Sequence, residues 1–86
     1  MVRRGAIAKG YINGYPAEET LNYVYVRVGS ARRGGDIAIK PIPGKGIQLV
    51  LQRRPDGVME LRSIGFSKAR FKSVEQIRNW LRKYGY

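Results

Sequence analysis

Between residues 21 and 29 the chain alternates hydrophobic and polar positions with period two. Val24, Val26 and Val28 fall on one face of an extended segment, and Tyr23, Tyr25 and Arg27 on the other. The same period returns over residues 47–53, where Ile47, Leu49 and Leu51 oppose Gln48, Gln52 and Arg54. It returns again over 58–64, where Met59 and Leu61 oppose Glu60 and Arg62. Residues 5–12 read as a first strand, and Asn13-Gly14 directly after it is a two-residue hairpin signal. In the next stretch, 15–20, Pro16 is placed as a helix starter and Glu18 and Glu19 suit a first turn, so a single helical turn or an irregular loop is expected. Residues 36–42 make a further strand. Pro41 and Pro43 cannot donate to a ladder, which sends its end to a sheet edge or a bend.

Turns separate these segments: the glycine-rich 30–35, Pro43-Gly44-Lys45-Gly46, and Pro55-Asp56-Gly57. Gly65 breaks the last alternation, so a bulge or strand end is expected near it. Beyond it the period changes. Ser73 and Gln76 have capping-box spacing, Glu75 suits the positive end of a helix, and Val74, Ile77, Leu81 and Tyr84 share one face with Trp80 beside them. Gly85 is placed to end that helix.

The pattern predicts one domain over residues 1–86, of class α+β. A short basic arm (1–4) precedes an antiparallel four- to five-stranded β-meander (5–64), a basic connector (65–72) and a C-terminal helix (73–85) packed on one face of the sheet. With the helix on the valine, isoleucine and leucine side, the other side is open. It is expected to carry Tyr23, Tyr25, Arg27, Lys40, Gln48, Gln52, Arg54 and Arg62.

Charge gives that open face a meaning. Seventeen basic against six acidic side chains leave a formal net charge of +11 on 86 residues, and self-repulsion of that size points to a polyanionic partner. The longest apolar run is Leu49 to Leu51, and the first ten residues leave no room for the apolar stretch of a signal peptide, so a soluble, cytoplasmic protein is expected, nucleoid-associated if the polyanion is DNA. No cysteine and no histidine are present, which removes the usual zinc sites and the commonest nucleophiles and bases; no cofactor, no metal and no catalysis are expected. Gly44-Lys45-Gly46 lacks the length and the following hydroxyl of a phosphate-binding loop and reads as a turn.

A single strand of nucleic acid needs flat rings for its bases and cations for its phosphates. Tyr23 and Tyr25 are candidates for stacking, although tyrosines also favour solvent faces of sheets through strand propensity alone. Arg27, Lys40, Arg54 and Arg62 are candidates for phosphate contact, with Gln48 and Gln52 beside them. Arg32 and Arg33, in Arg-Arg-Gly-Gly, and Lys68 and Arg70, alternating with Lys72 along the connector, extend the set; solvated turns and connectors account for the same residues. Trp80, among apolar neighbours, belongs to the core or a dimer contact.

The stretches Gly44-Lys45-Gly46-Ile47-Gln48-Leu49 and Ser73-Val74-Glu75-Gln76-Ile77-Arg78-Asn79-Trp80-Leu81 resemble pieces of the single-stranded-DNA-binding proteins related to the eukaryotic positive cofactor four and the plant Whirly proteins, with a hairpin intervening here where that family goes straight from turn to helix. The small, basic, arginine-rich plan as a whole also resembles the archaeal ThermoDBP group. The resemblance implies a sequence-tolerant binder of single-stranded DNA or RNA that works through a basic sheet. Two other classes stay open. One is a structural nucleoprotein, chromatin-like or virion component coating a polyanion; the other is a protein-interaction module using the tyrosine face. A homodimer or higher homo-oligomer is expected, since a core this small gains from sharing apolar surface.

Overall fold

A computed structural model of the chain describes residues 8–29 and 35–86. The basic arm over 1–4, the first three residues of the expected first strand, and the turn that carries Arg32 and Arg33 lie outside the described residues. Six antiparallel strands form one sheet: β1 (Ala8–Ile12), β2 (Tyr15–Glu19), β3 (Tyr23–Arg27), β4 (Ile37–Ile42), β5 (Ile47–Arg53) and β6 (Met59–Ser67), followed by the helix α1 (Val74–Lys83). The α+β class and the single C-terminal helix are as expected. The count of four to five strands is corrected to six, in the order β1-β2-β3-β6-β5-β4.

The added strand is β2, where a helical turn or loop was expected. Asn13 and Gly14 both take positive φ, 53° and 84°, so the hairpin signal is obeyed and the chain must return alongside β1. Pro16 is tolerated because it faces Tyr11 on β1 and lies one residue outside the β2–β3 ladder, which begins at Ala17 opposite Val26. A second correction concerns the meander. β3 does not pair with β4 but with β6, Val24 opposite Phe66 and Val26 opposite Ile64, so two three-stranded meanders meet at β3 and β6. Pro41 sits on β4, an outer strand, as its missing donor requires.

Register sorts the side chains. One row across the sheet runs Glu19, Val24, Phe66, Ile47, Ile42, and the next runs Gly10, Ala17, Val26, Ile64, Leu49, Lys40. These rows face α1, whose Ile77 and Leu81 are buried against them; Val26, Phe66 and Leu81 are fully enclosed. Phe66 meets Trp80 edge-on at 5.3 Å and Phe71 at 5.1 Å, which makes Trp80 a core residue. Val74 and Tyr84, expected on the buried stripe, are half exposed at the two ends of the helix.

The helix begins where its cap dictates. Ser73 Oγ accepts from the Gln76 amide at 3.3 Å, and Gln76 Oε1 accepts from the Lys72 amide at 2.6 Å. It ends with Gly85 at φ 89° and the Tyr86 amide donating to the Leu81 carbonyl at 2.7 Å. Asn13 Nδ2 donates to the Arg78 carbonyl at 3.2 Å, and the Tyr15 and Tyr86 rings meet edge-on at 6.3 Å, so the β1–β2 hairpin and the helix hold each other.

Candidate nucleic-acid interface

The face away from α1 has rows of its own. Glu18, Tyr25, Gly65, Gln48 and Pro41 lie side by side from β2 to β4, and Arg27, Ser63, Val50 and Ile39 form the neighbouring row. Tyr23, opposite Ser67, stands two residues from Tyr25 on the same side of β3. The two tyrosine rings are stacked, centroids 5.7 Å apart with 25° between planes. Tyr25 lies across the strand next to it because Gly65 offers no side chain; a Cβ there would stand 2.7 Å from the ring. From that position the Tyr25 hydroxyl donates to Gln48 Oε1 at 3.2 Å. Burial pushes the Tyr25 phenol above the ordinary tyrosine value, and Tyr23 adds to the rise, so the hydroxyl is a proton donor at neutral pH.

Beside the tyrosines the sheet carries an irregularity. Val50 faces Ser63 while Leu51 faces Leu61, which leaves Arg62 as the extra residue of a bulge. The Arg62 carbonyl takes both the Val28 and the Gly29 amides, at 3.1 and 3.0 Å, as β3 leaves the sheet. The consequence for the site is that Arg62 and Ser63 reach the same side as Arg27. With Tyr11, Pro16, Glu18 and Tyr25 they line a shallow cleft of about 400 Å³. Tyr11, 73% exposed, was not among the expected site residues, and neither was Glu18; both became part of this face only because β2 is a strand.

The structure brings Tyr23, Tyr25, Arg27, Gln48 and Arg62 together, and not the rest. Lys40 is opposite Leu49 on the helix side, because the register of β4 places Ile37 and Ile39 on the tyrosine side instead. Gln52 has the expected face but is 2% exposed, with Gly35 lying over it. Arg54 stands in the β5–β6 turn and pairs with Asp56 at 2.8 Å. Lys68 pairs with Glu19 at 2.5 Å and donates to the Thr20 carbonyl, fastening the connector to the end of β2. Arg70, by contrast, is exposed and lies against Gly46 beside Ser67, the cross-strand partner of Tyr23, at the edge of this group. Arg32 and Arg33 are outside the described residues.

Among the described residues no group of three metal-ligating side chains is close enough to hold an ion, and no helix is long and apolar enough to cross a membrane. Comparison with protein-family models, with curated proteins and with solved structures finds no match to this chain.

Proposed function

We propose that this chain binds single-stranded DNA or RNA, without sequence preference, on the sheet face opposite its helix. The observation that carries the reading is the stacked pair Tyr23 and Tyr25, spread on an open face with Arg27 and Arg62 beside it. Bases stack on rings whatever their identity, and the Arg27 and Arg62 guanidiniums beside Tyr25 are suited to pair with the phosphates of a strand that stacks there. Among the polar groups of the face the Gln48 acceptor is already engaged by Tyr25. The open antiparallel sheet backed by one helix is also the plan on which the resemblance to the positive-cofactor-four, Whirly and ThermoDBP proteins rests, and that kinship is part of the proposal.

A cationic coat for a polyanion is the second reading, favoured by the cations that the structure leaves away from the tyrosines, Lys40 and Arg54 among them. The Tyr23→Ala/Tyr25→Ala variant separates the two. Stacking predicts a loss of about 1 to 3 kcal/mol per ring in affinity for a short single strand, read by fluorescence anisotropy. A coat predicts no change, since the charge is unaltered, and an unchanged affinity removes the stacking reading.

A further inference from the structure

The side of the sheet that faces α1 is only partly covered. Six strands at a spacing of about 4.8 Å give a sheet more than two helix diameters wide, and α1 is the only helix among the described residues. The core it closes runs from Ile12 of β1 through Val26 of β3 and Ile64 and Phe66 of β6 to Ile47 of β5, which is 2% exposed. Beyond Trp80 the cover thins, and Ile42, Leu49 and Leu61 are only partly buried. Ile42, Leu49 and Leu61 border an open groove of about 430 Å³ between β4, β5 and the end of α1, with Trp80 and Tyr84 as its wall.

The rim of the groove has one sign of charge. Lys45 lines it, Lys40 stands exposed at the end of the Leu49 row, and Lys83 lies over the Tyr84 ring at 5.6 Å. Among the described residues no carboxylate lines it. A second copy of this chain would bring its own Arg78, Arg82 and Lys83 on α1 against those lysines, on top of a repulsion between two charges of +11. An acyl chain would be left half in water, because the groove is open along its length.

We propose that this groove docks one amphipathic helix of a partner protein, its apolar stripe on Ile42, Leu49 and Leu61 and its acidic flanks against Lys40, Lys45 and Lys83. The occupant completes the second layer of the domain as a parallel neighbour of α1. The site is separate from the tyrosine face, so a bound single strand and a docked helix do not compete.

Trp80 is the chain's one tryptophan and forms the groove wall, so its emission reports occupancy directly. The probe is a synthetic helix-forming peptide with leucines three and four residues apart and glutamates on both flanks, compared with the same peptide carrying lysines for glutamates and with a scrambled glutamate peptide. The expected result is a saturable blue shift of Trp80 with the acidic helix and a response at least about tenfold weaker with the other two. In Lys40→Glu/Lys45→Glu, whose substitutions are at exposed positions and whose fold is checked by circular dichroism, the preference between acidic and basic peptides inverts. No saturable shift, or an equal shift with the scrambled peptide, overturns the proposal. So does a shift that appears on concentrating the protein alone with a doubling of mass, which assigns the groove to a second copy, or one given equally by anionic vesicles.

Discussion

Gly65 and Tyr25 show how one missing side chain shapes the interface. Gly65 is legible in the sequence as a break in alternation, and the break suggests a bulge. In the structure the bulge is at Arg62, and Gly65 instead is the floor on which the Tyr25 ring rests. Nothing in a single sequence distinguishes these two uses of glycine, since both remove a Cβ from a strand. Gly65→Ala should therefore push the Tyr25 ring aside and weaken single-strand binding by about the value of one stack, 1 to 3 kcal/mol, with folding retained in a thermal melt. An unchanged affinity would show that the ring's position is immaterial. Lys40 teaches a related lesson. On an outer strand with isoleucines on one face and a lysine on the other, hydrophobicity does not fix the register, because both faces of β4 are exposed.

The phenol of Tyr25 carries a pH dependence whose sign follows from burial. Its folded-state proton affinity is raised, so the stability tied to the protonated, hydrogen-bonded phenol is whole below the ordinary tyrosine range and is lost as pH climbs through the folded value. Urea unfolding at a series of alkaline pH values should show a shallower fall for Tyr25→Phe than for the unsubstituted chain. Parallel slopes would mean that the hydroxyl is not held.

Elements with strong local signals were readable and those dependent on pairing were not. Ser73 and Gln76 announce the start of α1, and the period of Ile77 and Leu81 its buried stripe, because capping and amphipathicity are local properties. Val24, Val26 and Val28 sort correctly onto the core side for the same reason. The pairing of β3 with β6 was not readable, since a meander and this arrangement share the same hairpins and differ only in which strands meet over a long separation. β2 was hidden by Pro16 and two glutamates, residues that are poor strand formers and are accommodated here by a turn with Asn13 and Gly14. At this scale Ser73→Ala is expected to cost about 1 kcal/mol and Leu81→Ala about 2 to 5 kcal/mol in denaturant unfolding. Were Leu81→Ala to cost less than Ser73→Ala, the helix would not be anchored on the sheet as described.

At the scale of the molecule, the two sides of the sheet divide the work. One side presents rings and guanidiniums over β3 and β6; the other keeps the core under α1, with a groove beside Lys45 at its β4–β5 end. Composition points to a polyanionic partner, while the location of each cation followed from the sheet order and could not be read from charge alone. Seventeen basic side chains contribute to any contact with a polyanion, so salt dependence by itself does not distinguish stacking from a cationic coat.

The most direct measurement is fluorescence anisotropy of labelled single-stranded DNA, single-stranded RNA and duplex DNA of equal length, each titrated at low and at physiological salt. Binding on the tyrosine face predicts that both single strands outbind the duplex and that the preference persists at the higher salt. Equal binding of all three that disappears as salt is raised would contradict it.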